Sequence, residues 1–367
     1  MRLPRVKREH AAYRLADGKI RIGGRIYGVA EEIEDPDGLV WHALGAMDGT
    51  RSPAEIARHL AGLPPAAAAD LVTQLMESGH VEDAGAAAPE ELTPRERERY
   101  SRGHAFFRWT DLTPRRHGWE AQLRLRRARV LLLGLGGTGG VAAQDLVASG
   151  VGTLHCVDPD RVELSNLNRQ TLYSEPDVGR SKTEAALERL RALNSDVRVT
   201  GEVARVTCQE DLARIASGFD VVALCADEPR GPSGIRVWTS RTCTAAGTPW
   251  TGGGYNGPFV TVGAFLPGRG LCYECVIRTE DRRQDLETPR HADSRDFLVD
   301  LGGPGVTAAS AGISGHLVAN TVIRIITGIP EIGANFIHGV NLIAPDQLVY
   351  GEYGEGEGCG RCRRRTG

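Results

Sequence analysis

No stretch of the 367 residues approaches the roughly 20 consecutive apolar positions a helix needs to cross a bilayer. The basic N-terminal run MRLPRVKREH is not followed by an apolar core, so a secretory signal is not indicated. A strong charge imbalance is missing too. Lys and Arg number 44 against 47 Asp and Glu, a net −3, which gives no general attraction to nucleic acid or to an anionic membrane. These absences give the expectation of a cytoplasmic protein with no nucleic-acid or membrane partner. What is present is ordinary for a globular chain, with 41% hydrophobic and 25% charged residues. The length suits about two domains. In a reducing compartment the eight cysteines point to metal or catalysis before disulfides.

The chain breaks near residue 90. AGAAAPE (84–90) is small, Pro-containing and aperiodic and reads as a linker, taken as 86–95, between a front piece (1–85) and a larger one (96–367). In the front piece KIRIGGRIYGV alternates around Gly23-Gly24 and predicts a hairpin. Three helices follow, in GLVWHALGAM, SPAEIARHL and ADLVTQLMESGHVED. The second opens on Ser52, with Pro53 in its first turn and Glu55 placed for a capping box, and the third stops at Gly79. A hairpin with three short helices predicts a small winged-helix-like unit. Many such units bind DNA, but residues 1–90 hold 14 acidic against 10 basic side chains, so a phosphate-binding face is not evident.

From about residue 95 strand and helix patterns alternate, which predicts an α/β fold with a mainly parallel sheet and helices on both faces. LLLGLGGTGG packs five glycines into seven positions. Gly134, Gly136 and Gly139 spell G-x-G-x-x-G, with Gly137 inside it, after a strand and before a helix, where backbone amides can cradle phosphate. NAD, FAD and ATP all fit that loop alone. GTLHCVDPD supplies the second strand and places Asp158 about 20 residues on, where an acid binds ribose hydroxyls. Asp160 reads as its solvated neighbour. Asn166, Arg169 and Lys182 follow within one loop and the next helix start. Two cations near the phosphates suit nucleotidyl transfer, in which charge builds on a leaving pyrophosphate, better than hydride transfer.

The ordered run GLGGTGG, VDPDRVELSNLNRQ, DVGRSK and ALCADE resembles the ThiF/MoeB adenylyltransferases, relatives of the ubiquitin-activating enzymes, over about residues 97–362. The resemblance implies a Rossmann-like adenylation domain using ATP and Mg²⁺. Asp158 would hold the ribose, Asn166 and Arg169 the triphosphate, and Lys182 would follow the phosphates while Asp227 positions Mg²⁺. The residue types suit those roles, since Arg and Lys clamp charge and a hard cation takes carboxylate oxygen. RERERYSRGHAFF is similar to the family's opening motif, with Arg102 at its last arginine. In the family that arginine reaches the neighbouring protomer's nucleotide site, which implies a homodimer with composite sites. Glu228 departs from the Asn that commonly follows the metal-binding Asp. The front piece resembles the PqqD-like recognition element, whose members hold a leader peptide as an added strand.

Cys272 and Cys275 in LCYECV, with Cys359 and Cys362 in GCGRC, make two C-x-x-C pairs, the pattern of a tetrahedral zinc site. Four protein ligands leave no open position, so such a zinc braces the fold; a redox dithiol is the alternative. Cys156 and Cys225 fall in strand patterns and read as core, while Cys208 and Cys243 have no recognisable context. Sulfur-transferring and ubiquitin-activating relatives carry a nucleophilic cysteine in the loop after the first zinc pair. Here VIRTEDRRQDLETPRHADSRDFLVDLGGPGV contains none, so no thioester is expected on it.

The pairing of the two pieces resembles the microcin C-type and pantocin-type maturation enzymes. It implies ATP-dependent adenylation of a carboxylate on a ribosomally made precursor peptide, with the leader bound by the front piece. One alternative is activation of a ubiquitin-like sulfur-carrier protein. Another is a non-catalytic, leader-presenting partner of a cyclodehydratase, for which eroded ATP residues are expected, yet Asp158, Asn166, Arg169, Lys182 and Asp227 are all present.

Overall fold

The computed structural model describes residues 2–227, 234–279, 305–354, 358–360 and 362, in two compact units, Met1–Arg124 and Leu125–Gly367. In the first, β1 (Pro4–Val6) pairs antiparallel with β5 (Val81–Asp83). A second antiparallel sheet has β3 (Ile20–Ile22) between β2 (Tyr13–Arg14) and β4 (Glu31–Ile33). The alternation of KIRI serves a core face, with Ile20 and Ile22 buried and Arg21 at the surface side. The hairpin's connection is longer than expected. Gly23 ends β3, but pairing resumes only at Glu31, because residues 23–30 fold into a turn in which Ala30 N donates to Ile26 O at 2.9 Å. Gly23 has φ +85°, and a Cβ there would stand 2.4 Å from Val29 O.

Helices α1 (Leu39–Ala46), α2 (Pro53–His59) and α3 (Pro65–Glu77) occupy the three expected stretches. The capping box forms: Glu55 N donates to Ser52 Oγ at 3.3 Å and Ser52 N to Glu55 Oε2 at 2.7 Å, a cap of about 1 kcal/mol. The compact unit then runs on past the expected linker. It takes in α4 (Pro94–Arg99), α5 (Ser101–Thr110) and the start of α6 (Glu120–Arg127). Polar ties account for this. Buried Lys7 donates Nζ–H to Asp111 O at 2.6 Å, His10 Nε2 bonds Trp109 O at 2.7 Å, and Arg108 pairs with Glu82 at 3.0 Å and Glu9 at 3.2 Å.

The second unit is built on one sheet of β6 (Arg129–Leu133), β7 (Thr153–Val157), β8 (Arg198–Glu202), β9 (Val221–Leu224), β10 (Trp250–Asn256), β11 (Phe259–Phe265), β12 (Phe336–Asn341) and β13 (Leu348–Glu352). Their order is β13-β12-β11-β10-β9-β6-β7-β8. Strands β10, β9, β6, β7 and β8 run parallel, and β11 to β13 continue antiparallel, giving the expected Rossmann-like, mainly parallel α/β core. VLLL (after the exposed Arg129) and VVAL lie in the centre, buried as parallel strands covered on both faces must be. Helices α7 (Gly137–Ala148), α8 (Lys182–Leu193), α9 (Gln209–Ala216) and α10 (Ile235–Ala246) alternate with the strands. Helix α11 (Ala308–Thr327) packs on α7 and β10; a Cβ at Gly315 would lie 2.6 Å from Thr138 O, so glycine sets that close approach. The chain lays β7 and β8 on one side of β6 and then returns to place β9 on the other. The strand order therefore reverses between β6 and β9, and a crevice opens at their C-terminal ends.

Candidate nucleotide site and cysteine cluster

The glycine loop sits at that crevice. Gly134 follows β6 with φ +91°, and a Cβ on it would stand 2.9 Å from Ala226 N, on the segment leaving β9. Gly139 is tighter still, with its Cβ position 1.8 Å from Gly134 O. At Gly136, by contrast, a Cβ would meet only Gln170 Nε2 at 3.8 Å, so the loop is open there to a ligand. A cavity of about 250 Å³ is lined by Gly134, Gly136, Asp158, Asp160, Lys182, Arg205 and Asp227 among others. Thus Asp158, Lys182 and Asp227, far apart in sequence, face one space with the loop. Asp158 is buried and fixes the loop directly, Leu135 N donating to its Oδ2 at 2.6 Å.

Asn166 and Arg169 flank this space without lining the cavity. Asn166 is buried, its Oδ1 accepting from Glu163 N at 3.2 Å, and Arg169 donates Nη1–H to Ser165 O at 3.1 Å and Asn168 Oδ1 at 2.9 Å. The Arg169 carbonyl lies 3.3 Å from the Cβ position of Gly137, which brings this loop against the start of α7. Arg102 lies on α5 of the first unit with an exposed side chain. Glu228, and residues 280–304 of the cysteine-free loop, fall outside the described residues.

Sequence reasoning overlooked several residues. Asp160 is not merely solvated: its Oδ2 lies 3.0 Å from Lys182 Nζ and its Oδ1 3.3 Å from Arg205 Nη2. Tyr173 is buried, with its hydroxyl 3.0 Å from Leu135 O and 3.3 Å from Lys182 O, and so joins the glycine loop to the start of α8. Arg236 Nη2 meets Asp227 Oδ1 at 2.6 Å. The DPD pattern was the available signal for Asp160; the others had none. Cys225 lines the cavity, and burial pushes its thiol up to about 12, which favours the protonated form.

The four predicted zinc ligands converge. Sulfur separations are 3.6 Å for Cys272–Cys275, 3.8 Å for Cys272–Cys359, 3.6 Å for Cys275–Cys362 and 3.5 Å for Cys359–Cys362. A tetrahedron with Zn–S bonds of about 2.3 Å has S···S edges of roughly 3.8 Å, so the set fits zinc. Cys359 N and Arg278 Nη2 both donate to Cys275 Sγ, at 3.3 and 3.1 Å, which suits a thiolate. Among the described residues this is the one cluster of three or more His, Cys, Asp and Glu side chains close enough to hold a metal between them. Neither pair need be a redox dithiol to explain this geometry.

The "Adenylyltransferase and sulfurtransferase uba4" of Aspergillus clavatus is 33% identical over 276 residues, 72% of this chain and 51% of that protein. The chain thus spans about half the length of the curated relatives it matches. Among solved structures, E. coli MccB with ATP aligns at a TM-score of 0.74 and 22% identity, over 98% of this chain and 99% of the other. The microcin C7 biosynthetic enzyme MccB in complex with N-formylated MccA aligns at 0.73 and 22%, over the same shares. At that identity the likeness shows the fold. The ThiF family model matches residues 110–348, well over half the sequence, and the chain belongs to the ThiF family.

Proposed function

We propose that this protein uses ATP to adenylate a carboxylate, most simply the C-terminal carboxylate of a ribosomally made precursor peptide whose leader is held by the N-terminal unit. The observation that carries the reading is the shared cavity: a glycine loop, a ribose-type acid (Asp158), a buried lysine (Lys182) and a half-exposed carboxylate (Asp227) at the strand-order reversal. A carboxylate oxygen attacks the α-phosphorus, an O–P bond forms, and the bond to the β-phosphate breaks as pyrophosphate leaves. The nucleophile is already ionised at neutral pH, so no general base is needed and the protein's task is alignment and charge neutralisation. Lys182, Arg169 and, from a second copy, Arg102 are the cations for that task. Mg²⁺ at Asp227 would supply further neutralisation, displacing Arg236.

The peptide reading draws support from MccB, whose complexes carry ATP and MccA and whose likeness runs through the N-terminal unit. The relative from A. clavatus, named a sulfurtransferase as well, favours a second reading, activation of a sulfur-carrier protein. ATP–pyrophosphate exchange separates them. Peptides from short reading frames beside the gene should support exchange with a free C-terminus and fail when amidated, while a ubiquitin-like sulfur carrier should be inert. Exchange with the carrier alone would replace the peptide reading.

A further inference from the structure

Pro159 separates two aspartates at the end of β7, and the second has the more demanding surroundings. Asp160 divides its carboxylate between two cations, Oδ2 to Lys182 Nζ at 3.0 Å and Oδ1 to Arg205 Nη2 at 3.3 Å. All three residues line the cavity of the glycine loop. The main chain fixes the carboxylate in place, since Asp160 N donates to Asp158 Oδ1 at 2.9 Å and Lys182 N donates to Asp160 O at 2.9 Å. The two cations differ in their access to water. The Lys182 side chain is 8% exposed and that of Arg205 61%. Lys182 therefore depends on Asp160 for compensation of its charge, whereas Arg205 reaches the same carboxylate from the solvent side.

On the nucleotide reading of this cavity, on which the inference rests, an arriving triphosphate must draw the Lys182 ammonium away from Asp160. The Asp160 side chain is itself 49% exposed, so water screens part of its charge, but a carboxylate left alone beside new phosphate charge would still oppose that step. Arg205 removes the opposition because it stays on the other oxygen. We propose that Asp160 and Arg205 form a counterion exchange that sets triphosphate affinity. Asp160 holds Lys182 in the empty site, the phosphates take Lys182, and Arg205 alone neutralises Asp160 in the loaded site. Arg205 is a positioning residue, acting through Asp160 and Lys182 without itself binding phosphate.

Calorimetric binding of Mg·ATP and of adenosine to the full-length protein tests this at about 0.1 M salt, where exposed charges still interact. Arg205→Ala should weaken ATP about fivefold and leave adenosine unchanged, a coupling of the size found for groups in direct contact. Asp160→Asn removes the charge that needs compensating. Placed in the Asp160→Asn background, Arg205→Ala should have no further effect on ATP, and Arg205→Lys alone should restore most of the affinity. Equal losses for ATP and adenosine would put Arg205 against the base or sugar, and additive losses in the double variant would make it an independent surface charge. Either result overturns the exchange. ATP binding untouched by Arg205→Ala also overturns it and leaves the adenylation reading standing, whereas failure of the wild-type protein to bind ATP at millimolar concentration overturns both.

Discussion

His10 and His80 are 0% and 1% exposed, and their Nδ1 atoms lie 2.9 Å apart. His10 Nε2–H donates to Trp109 O, so neutral His10 offers Nδ1 as an acceptor to the Nδ1–H of His80. Glu31 Oε2 then faces His80 Nε2 at 3.5 Å. A proton added to His10 would set two N–H donors against each other, and burial opposes its charge further, lowering His10 from 6.5 to about 4. Below pH 6.5 the unfolded chain takes up this proton, while the folded chain does so only near pH 4. Stability is therefore lost as pH falls through that window, by on the order of 3 kcal/mol. Denaturant titrations from pH 7 to 4 should show the decline, to which His80 and His104, also lowered by burial, contribute with the same sign; His10→Gln, which bonds without titrating, should make it shallower without abolishing it, and equal declines would contradict the assignment. At this scale the motif residues were legible because their signal is local spacing. Asp160–Arg205 and Tyr173–Leu135 were not, because a pair joined across a cavity leaves no period in the sequence.

The two C-x-x-C pairs bring the segment after β11 against the segment after β13, so a metal held by them would close a long excursion of chain. Purified protein should contain about one zinc per chain. Less than roughly a tenth of an equivalent, in protein never exposed to chelator, would count against the site. Cys359→Ser should lower the melting temperature by several degrees, not merely the turnover. The parallel strands and helices of the second unit were readable from aliphatic runs and glycine punctuation, as were α1 to α3 from helical patterning, the Ser52 capping box and the stop at Gly79. The length of the β3–β4 connection and the unit's extension to Arg124 were not. The first depends on a turn closed by backbone bonds, the second on polar ties such as Lys7–Asp111 and Arg108–Glu82, and neither has a compositional mark.

For the molecule as a whole, the proposed composite site makes a dimer testable without a dimer structure. Arg102→Ala and Asp227→Ala should each be inactive, yet mixing them should recover up to about a quarter of wild-type exchange, because half the dimers are mixed and one of their two sites is intact. No recovery, with subunit exchange shown independently, would reject the role of Arg102 across the interface. If the chemistry occurs around Lys182, ATP–pyrophosphate exchange by Lys182→Ala, with peptide binding measured on the same protein, is the decisive measurement. Exchange should fall by at least about a hundredfold with peptide affinity unchanged; undiminished exchange would mean that Lys182 has no part in the chemistry.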